Sequence, residues 1–317
     1  MVGFDIGGTK CAVCIGEKTQ DGIRITATRR IPTDLSLPPY TMLEKLCLAA
    51  EELTDDFSRI GISCGGPLDA ARGVILSPPN LPGWDEVRIT DYLQSRYHGT
   101  VGLENDANAC ALAEWKYGAG RGTRNMIFLT FGTGMGAGLV LDGRLYRGVC
   151  GNAGEIGHLR MAPFGPVGYG KAGSFEGFVS GGGIARFAAT AAEERLQAGF
   201  STAYCKSRAE LPQITAARVA AAAKEGDPTA LAVFRTCGQM LGRGLAVLVD
   251  LLNPEVIIIG SIYGRAKELL QAQAEQELQQ EALPASLAAV RILPAALGEE
   301  LGNYAALAAG DTAEDAF

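Results

Sequence analysis

The tract Thr130-Phe131-Gly132-Thr133-Gly134-Met135-Gly136-Ala137-Gly138 repeats the design of an earlier one, Asp5-Ile6-Gly7-Gly8-Thr9-Lys10. Each follows a short apolar stretch, 1–4 in the first case and 126–129 in the second, and each leads into another apolar run. A strand, a glycine turn with a hydroxyl residue and a second strand make a hairpin. Its amides can crowd around an anion, because glycine adopts positive φ and lets the main chain approach closely. One such hairpin is commonplace. Two, in different halves of the chain, suggest a duplicated architecture and a site that clamps phosphates from both sides.

The rest of the pattern supports duplication. Residues 2–6, 11–17 and 24–31 read as three strands joined by tight turns. A helix follows over 38–55, with Leu43, Leu46, Ala49 and Leu53 on one side. Residues 59–63 form a strand ending in the Gly65-Gly66-Pro67 turn. Then come a helix over 90–97 capped by Thr90, a strand over 101–103 and a helix over 108–115. The second half predicts strands at 126–131, 137–142 and 144–147, and helices at 181–198, 214–225 and 228–252. A buried strand at 256–259, a helix at 265–279 and a strand near 289–292 follow. Three meandering strands and then α/β alternation predict a mixed sheet in each half. Residues 197–214 read as a polar surface excursion, 151–183 as a shaped glycine-rich loop, and 311–317 as a frayed tail.

Composition narrows the function classes. The 317 residues are 47% hydrophobic and 20% charged, as in an ordinary globular protein, with room for two domains. A net charge of −7 argues against nucleic acid or an anionic membrane as partner. No apolar run approaches the ~20 residues that span a bilayer. The first strand begins at once with no basic-then-apolar leader, so a cytoplasmic location is expected. The eight cysteines are scattered: Cys11 and Cys14 face opposite sides of a strand, and Cys47, Cys110 and Cys237 lie on apolar helical faces. Cys64 and Cys150 lie near the expected site without a neighbouring base in sequence. With only His98 and His158 available, a multi-histidine metal site is not expected.

Taken alone, Asp5 is a turn-capping aspartate, and Asp106, between a strand and a helix, is as readily an N-cap as a catalyst. Glu155 and Glu176 alone would be solvated charges, and His158 a hydrogen-bonded structural histidine.

The order of motifs is more specific. Asp5-Ile6-Gly7-Gly8-Thr9-Lys10, the SPPNLPGW run at 77–84, ENDANACALAE at 104–114 and LTFGTGMGAGLVLDG at 129–143 are followed by GNAGEIGH at 151–158, SFEGFVSG at 174–181 and LLNPEVIIIGS at 251–261. Over nearly its whole length the chain resembles the ROK family of repressors and sugar kinases. The resemblance implies an α/β fold of two ribonuclease-H-like domains of the actin and hexokinase type, with mixed sheets flanked by helices. A smaller N-terminal domain over 1–117 is expected, with a helix at about 298–310 returning to it, and a larger domain over 118–297.

The same resemblance implies an ATP-dependent hexose kinase acting on glucose or a close relative, at O6. Asp106 would be the general base, and Asn105 would orient a neighbouring hydroxyl. Gly65, Gly66, Asn80, Glu155, His158 and Glu176 would complete sugar recognition. ATP would be held by Asp5, Gly7, Gly8, Thr9 and Lys10 and by Thr133, Gly134, Gly136, Gly260 and Ser261, with Asp5 holding Mg²⁺ through water. A homodimer is also implied. Other expectations from the same family are a sugar-responsive regulator, a non-catalytic sugar-binding protein, or a kinase of N-acetylhexosamines or fructose. The first glycine turn begins at residue 5, with no helix-turn-helix ahead of it, which favours the enzyme over the regulator.

In one respect the chain departs from its relatives. Many ROK members bind structural zinc through the loop histidine and three cysteines, and the aligned positions here are Val167, Tyr169 and Ser174. His158 alone cannot supply a structural zinc site, which needs four ligands. No structural zinc is expected, and the loop is expected to be held by packing and hydrogen bonds through Tyr169 and Phe175.

Overall fold

The computed structural model describes residues 1–20 and 22–311. Strands β1 (Val2–Ile6), β2 (Lys10–Thr19), β3 (Gly22–Pro32), β4 (Arg59–Cys64) and β5 (Thr100–Asn105) form a sheet in the order β3-β2-β1-β4-β5. Strands β6 (Met126–Phe131), β7 (Met135–Leu141), β8 (Arg144–Tyr146), β9 (Val256–Ile259) and β10 (Arg291–Pro294) form another, in the order β8-β7-β6-β9-β10. The two orders are the same: a three-strand meander, then two strands reached through helices. The sheets are mixed, as β1 pairs antiparallel with β2 and parallel with β4, and β9 runs parallel with β10.

The helices are α1 (Pro39–Glu51), α2 (Ile89–Tyr97), α3 (Asp106–Tyr117), α4 (Phe175–Phe178), α5 (Gly181–Gln197), α6 (Ala216–Lys224), α7 (Pro228–Leu252), α8 (Ile262–Glu281), α9 (Pro284–Ala289) and α10 (Leu301–Asp311). Contacts divide the chain into two units. The first comprises Met1–Phe128, Gly138–Ala153 and Ala296–Phe317, and the second Leu129–Ala137 and Gly154–Ala295. Among the described residues no helix is long and apolar enough to cross a membrane.

In the first unit the core gathers Val2, Phe4 and Ile6 of β1, Ile60 and Ile62 of β4, and Leu43 and Leu46 of α1, all buried. The other face of this sheet is covered by α10, whose Ala305, Ala306, Ala308 and Ala309 are fully buried. The approach is so close that it requires glycine on the sheet. A Cβ at Gly61 would stand 2.0 Å from the Ala306 carbonyl oxygen, and one at Gly102 2.2 Å from that of Ala309. Asp311 closes the helix by accepting from Arg59 Nη1 at 3.0 Å and Tyr117 Oη at 2.8 Å. In the second unit, Asp227 caps α7 by accepting from the amides of Thr229 and Ala230. Gly242 of α7 lies against the Ala274 carbonyl of α8, where a Cβ would come within 2.4 Å.

Several elements differ from expectation. α1 ends at Glu51 rather than 55. Thr90 does not cap α2: Arg88 takes that position without a side-chain bond, and Thr90 turns its Oγ1 onto the Gly73 carbonyl at 3.2 Å. α3 starts at Asp106, two residues before the predicted start, because Asn105 caps it. α8 starts three residues early and kinks at Ala266 (φ −129°). The last strand is displaced to 291–294 because Pro284 opens the unpredicted helix α9. The 197–214 excursion is anchored by Tyr204, buried, whose hydroxyl donates to Ala188 O at 3.0 Å. Asp311 is part of α10 and ion-paired rather than frayed, and the remainder of the expected tail, 312–317, lies outside the described residues.

Candidate active site

In the first unit, register brings the candidate residues together. Ile6 of β1 pairs with Cys64 of β4, and Cys64 with Asn105 of β5, so three parallel strands end level. The residues that follow them, Gly7, Gly65 and Asp106, share the carboxyl edge of the sheet, where open α/β sheets bind ligands.

Asn105 is the N-cap of α3, and its Oδ1 accepts from the amides of Ala107 (2.9 Å) and Asn108 (3.3 Å). That interaction stabilises the helix by about 1 kcal/mol. The cap role open to Asp106 is therefore taken by its neighbour, and Asp106 becomes the first helical residue, exposed, with Oδ1 accepting from Ala107 N at 2.8 Å. Asn105 Nδ2 lies along the Gly66 backbone, 3.2 Å from where a Cβ would stand, and Asp106 Oδ2 lies 4.0 Å from the equivalent point on Gly65.

Burial, then the neighbouring Asp106 carboxylate, push the Asp5 carboxyl up to about 6, while the Lys10 ammonium opposes them. A second carboxylate close enough to disfavour the charge on Asp5 makes with it a donor pair suited to a hard divalent cation such as Mg²⁺. The turn after Asp5 is fixed from outside. Thr33 Oγ1 donates to Gly7 O at 2.6 Å, and Thr33 N to Thr9 O at 3.1 Å. Thr9 and Lys10 are exposed. The backbone of Asn80 lies directly over Gly8.

The second unit gathers the remaining candidates around its own glycine turn. Gly181 N and Gly182 N, at the start of α5, donate to Gly132 O and Thr133 O at 2.8 and 3.2 Å. Thr130 Oγ1 accepts from Gly136 N at 2.9 Å, and Glu176 Oε2 from Met135 N at 3.1 Å. A Cβ at Gly134 would stand 2.9 Å from Glu176 Oε2. Glu176 thus shapes the turn directly. The segment carrying Glu155 and His158, both exposed, is held against β7: Ala137 N donates to Gly154 O at 2.8 Å, and Gly157 rests on Met135 O. Gly260 is buried beyond β9, its amide donating to Leu129 O at 2.9 Å, and Ser261, exposed with φ +51°, precedes α8.

Of the two aromatics expected to order the 151–183 loop, Phe175 does so, together with hydrogen bonds from Ser174 and Lys171. Phe175 is fully buried, its ring against Gly244. Ser174 caps α4 through Gly177 N (3.1 Å) and donates to Gly168 O (3.2 Å). Lys171 Nζ donates to His158 O at 2.7 Å. Tyr169 is not an anchor, because it sits at the hairpin turn (φ +44°) and is 73% exposed, its ring centroid 6.3 Å from that of His158 in a T-shaped arrangement. Among the described residues no group of three or more His, Cys, Asp and Glu side chains is placed to hold a metal ion.

Reading the sequence missed Thr33, Thr130 and Glu104. Thr130 stood inside a motif, and its hydroxyl at a strand end was the available signal. Nothing near Thr33 marked it.

Known proteins resemble this chain over most of its length. A glucokinase of Thermotoga maritima is 31% identical over 305 residues, covering 95% of this chain and 94% of its own. An N-acetylmannosamine kinase of Citrobacter koseri is 32% identical, covering 88% of each chain. The crystal structure of a ROK family glucokinase from Streptomyces griseus, in complex with glucose and AMPPNP, matches with a TM-score of 0.76 at 30% identity, covering 99% of both chains. It shares the two-domain α/β architecture with mixed sheets. The ROK family model matches residues 1–309, and the chain belongs to the ROK family.

Proposed function

We propose that this protein is an ATP- and Mg²⁺-dependent sugar kinase that phosphorylates a hexose, glucose or a close relative, at O6. The observation that carries the reading is the level ending of three parallel strands, which sets the Gly7–Gly8 turn, the Gly65–Gly66 turn and Asp106 along one edge. Asp106 accepts the proton of the sugar hydroxyl as that oxygen bonds to the γ-phosphorus and the bridging oxygen leaves with ADP. The transition state is largely dissociative, so positioning and charge stabilisation dominate, and an ordinary carboxylate suffices as base.

Asn105, its Oδ1 engaged by the helix, orients a neighbouring hydroxyl through Nδ2. Sugar recognition is assigned to Gly65, Gly66 and Asn80 in the first unit and to Glu155, His158 and Glu176 in the second. ATP binding is assigned to Gly7, Gly8, Thr9 and Lys10, and to Thr133, Gly134, Gly136, Gly260 and Ser261. Asp5 would hold Mg²⁺ through water, and the cation, when bound, neutralises phosphate charge. The reading carries with it a cytoplasmic location and a homodimer, tested by cell fractionation and light scattering.

ADP release measured over glucose, N-acetylglucosamine, N-acetylmannosamine, fructose and allose tests the reading, with the product's phosphate position assigned by NMR. Glucose-dependent release with phosphate at O6 is expected. Release that no sugar accelerates overturns the kinase reading and leaves a regulator or sugar-binding protein. The similarity to the Citrobacter koseri enzyme supports N-acetylmannosamine as the second substrate to try.

A further inference from the structure

Glu104, the residue before Asn105, is 1% exposed and still carries a carboxylate. Its Oε1 accepts from the amide of Asn105 at 3.0 Å and from Nδ2 of Asn108 at 3.1 Å. Its Oε2 accepts from Arg147 Nε at 2.8 Å, with Arg147 Nη2 at 2.7 Å. The two oxygens therefore accept three hydrogen bonds, two from the β5–α3 corner on Oε1 and one on Oε2 from a guanidinium on the segment after β8, whose Nη2 is ion-paired to the same oxygen. Asn108 is itself 2% exposed, and its Oδ1 is the one buried side-chain oxygen without a partner found among the described residues.

Packing does not explain this group. Removing a carboxylate from water is costly even when paired, and apolar side chains of like volume would serve stability as well or better. An orphaned amide oxygen adds to the cost. What the arrangement does accomplish is geometric. Two nitrogens of one guanidinium converge on Oε2, and Oε1 holds both the peptide N–H that begins the Asn105–Asp106 corner and the Asn108 side chain in the first turn of α3.

We propose that Glu104 and Arg147 are positioning residues for phosphoryl transfer. The pair fixes the corner so that Asp106 is presented in one orientation at the carboxyl end of β5. The proposal rests on the kinase reading of Asp106. It assigns Arg147, 41 residues beyond Asp106 in the chain, a part in that residue's catalytic competence.

A double-mutant cycle tests it. The parent must first release ADP with a hexose of the panel, and a parent inert toward all of them defeats the kinase reading itself before any variant is made. With the active hexose, Glu104→Gln and Arg147→Gln are each expected to lower kcat about 10- to 100-fold, the scale set by a small misplacement of a reacting group. KM for hexose and ATP, and hexose affinity by calorimetry, should stay within about threefold of the parent, since only the transition state feels the loss. The double variant, with two neutral amides facing each other, should lose no more than the worse single variant. Single variants with parental kcat, losses that multiply in the double variant, or a rise in KM matching the fall in kcat overturn the proposal. Should either single variant fail to melt cooperatively, Arg147→Lys decides. It keeps the charge without the second converging nitrogen, so a fall in kcat at parental melting temperature supports positioning, and parental kcat overturns it.

Discussion

The carbonyl oxygen of Asn80 rests on Gly8, where a Cβ would stand 2.2 Å from it. The turn assigned to the phosphates and the loop assigned to the sugar are thus in direct backbone contact. Gly8→Ala must displace one or the other. The expected outcome is a rise of at least about tenfold in KM for both ATP and hexose, because small displacements at positioning groups cost that much or more. Steady-state kinetics with each substrate varied in turn checks it, and a change confined to ATP would contradict the coupling.

Asp106→Ala should abolish sugar-phosphate formation while hexose binding stays within about threefold, because a general base acts on the transition state and not on ground-state affinity. Isothermal calorimetry with the hexose, beside the ADP assay, separates the two. Asp106→Asn should behave alike, since the amide keeps the shape and loses the basicity.

Asp5 makes stability depend on pH in an unusual direction. Its folded value of about 6 lies above the ordinary 3.8, so between about pH 4 and pH 6 the folded protein holds a proton that the unfolded chain has released. Stability therefore falls as pH rises through that window. Asp5→Asn removes the penalty and should stabilise the metal-free protein above pH 6 by about 1–3 kcal/mol, with turnover lost. Thermal melts from pH 4 to 8 should show a flatter profile for the variant, and parallel profiles would count against the assignment. Adding Mg²⁺ should move the parent's transition to lower pH.

Glu176→Ala frees the Met135 amide that shapes the second glycine turn. KM for ATP should rise about tenfold, the cost of losing one charge-assisted hydrogen bond at a positioned turn. Unchanged ATP kinetics would show that the turn holds its shape without the carboxylate.

Gly61→Ala has no room for its methyl group, with Ala306 O 2.0 Å from the new Cβ. Overpacking against a helix backbone should cost about 3 kcal/mol or more. Chemical denaturation would register it as a lower midpoint, and an unshifted midpoint would mean that α10 moves away at little cost.

What was legible in the sequence, and what was not, divides by range. Strand–glycine–strand hairpins are local, so both turns and their strands could be read directly, and β9 declared itself as four β-branched residues in a row. Which of two adjacent acceptors caps α3 was not legible, because Asn105 and Asp106 are equally able and only the strand register decides. Glu104 lies inside the 104–114 motif without a local signal of its part, since its burial beside Arg147 joins residues 43 apart in the chain. The altered loop was expected to lean on Tyr169, but a turn position exposes that ring whatever its hydrophobicity. Thr33 acts through a carbonyl 26 residues earlier, a pairing set by the β2–β3 hairpin rather than by any motif.

The alanine face of α10 has a consequence for how the protein is made. The glycines that receive it, Gly61 and Gly102, are synthesised roughly two hundred residues before their cover, residues 301–311. A nascent chain emerging from the ribosome at about 5–20 residues per second therefore waits on the order of ten seconds or more with one side of its first sheet unsealed. During that interval chaperone capture and wrong pairing compete with maturation, and a nonsense mutation shortly before residue 301 would strand the polypeptide in that vulnerable form.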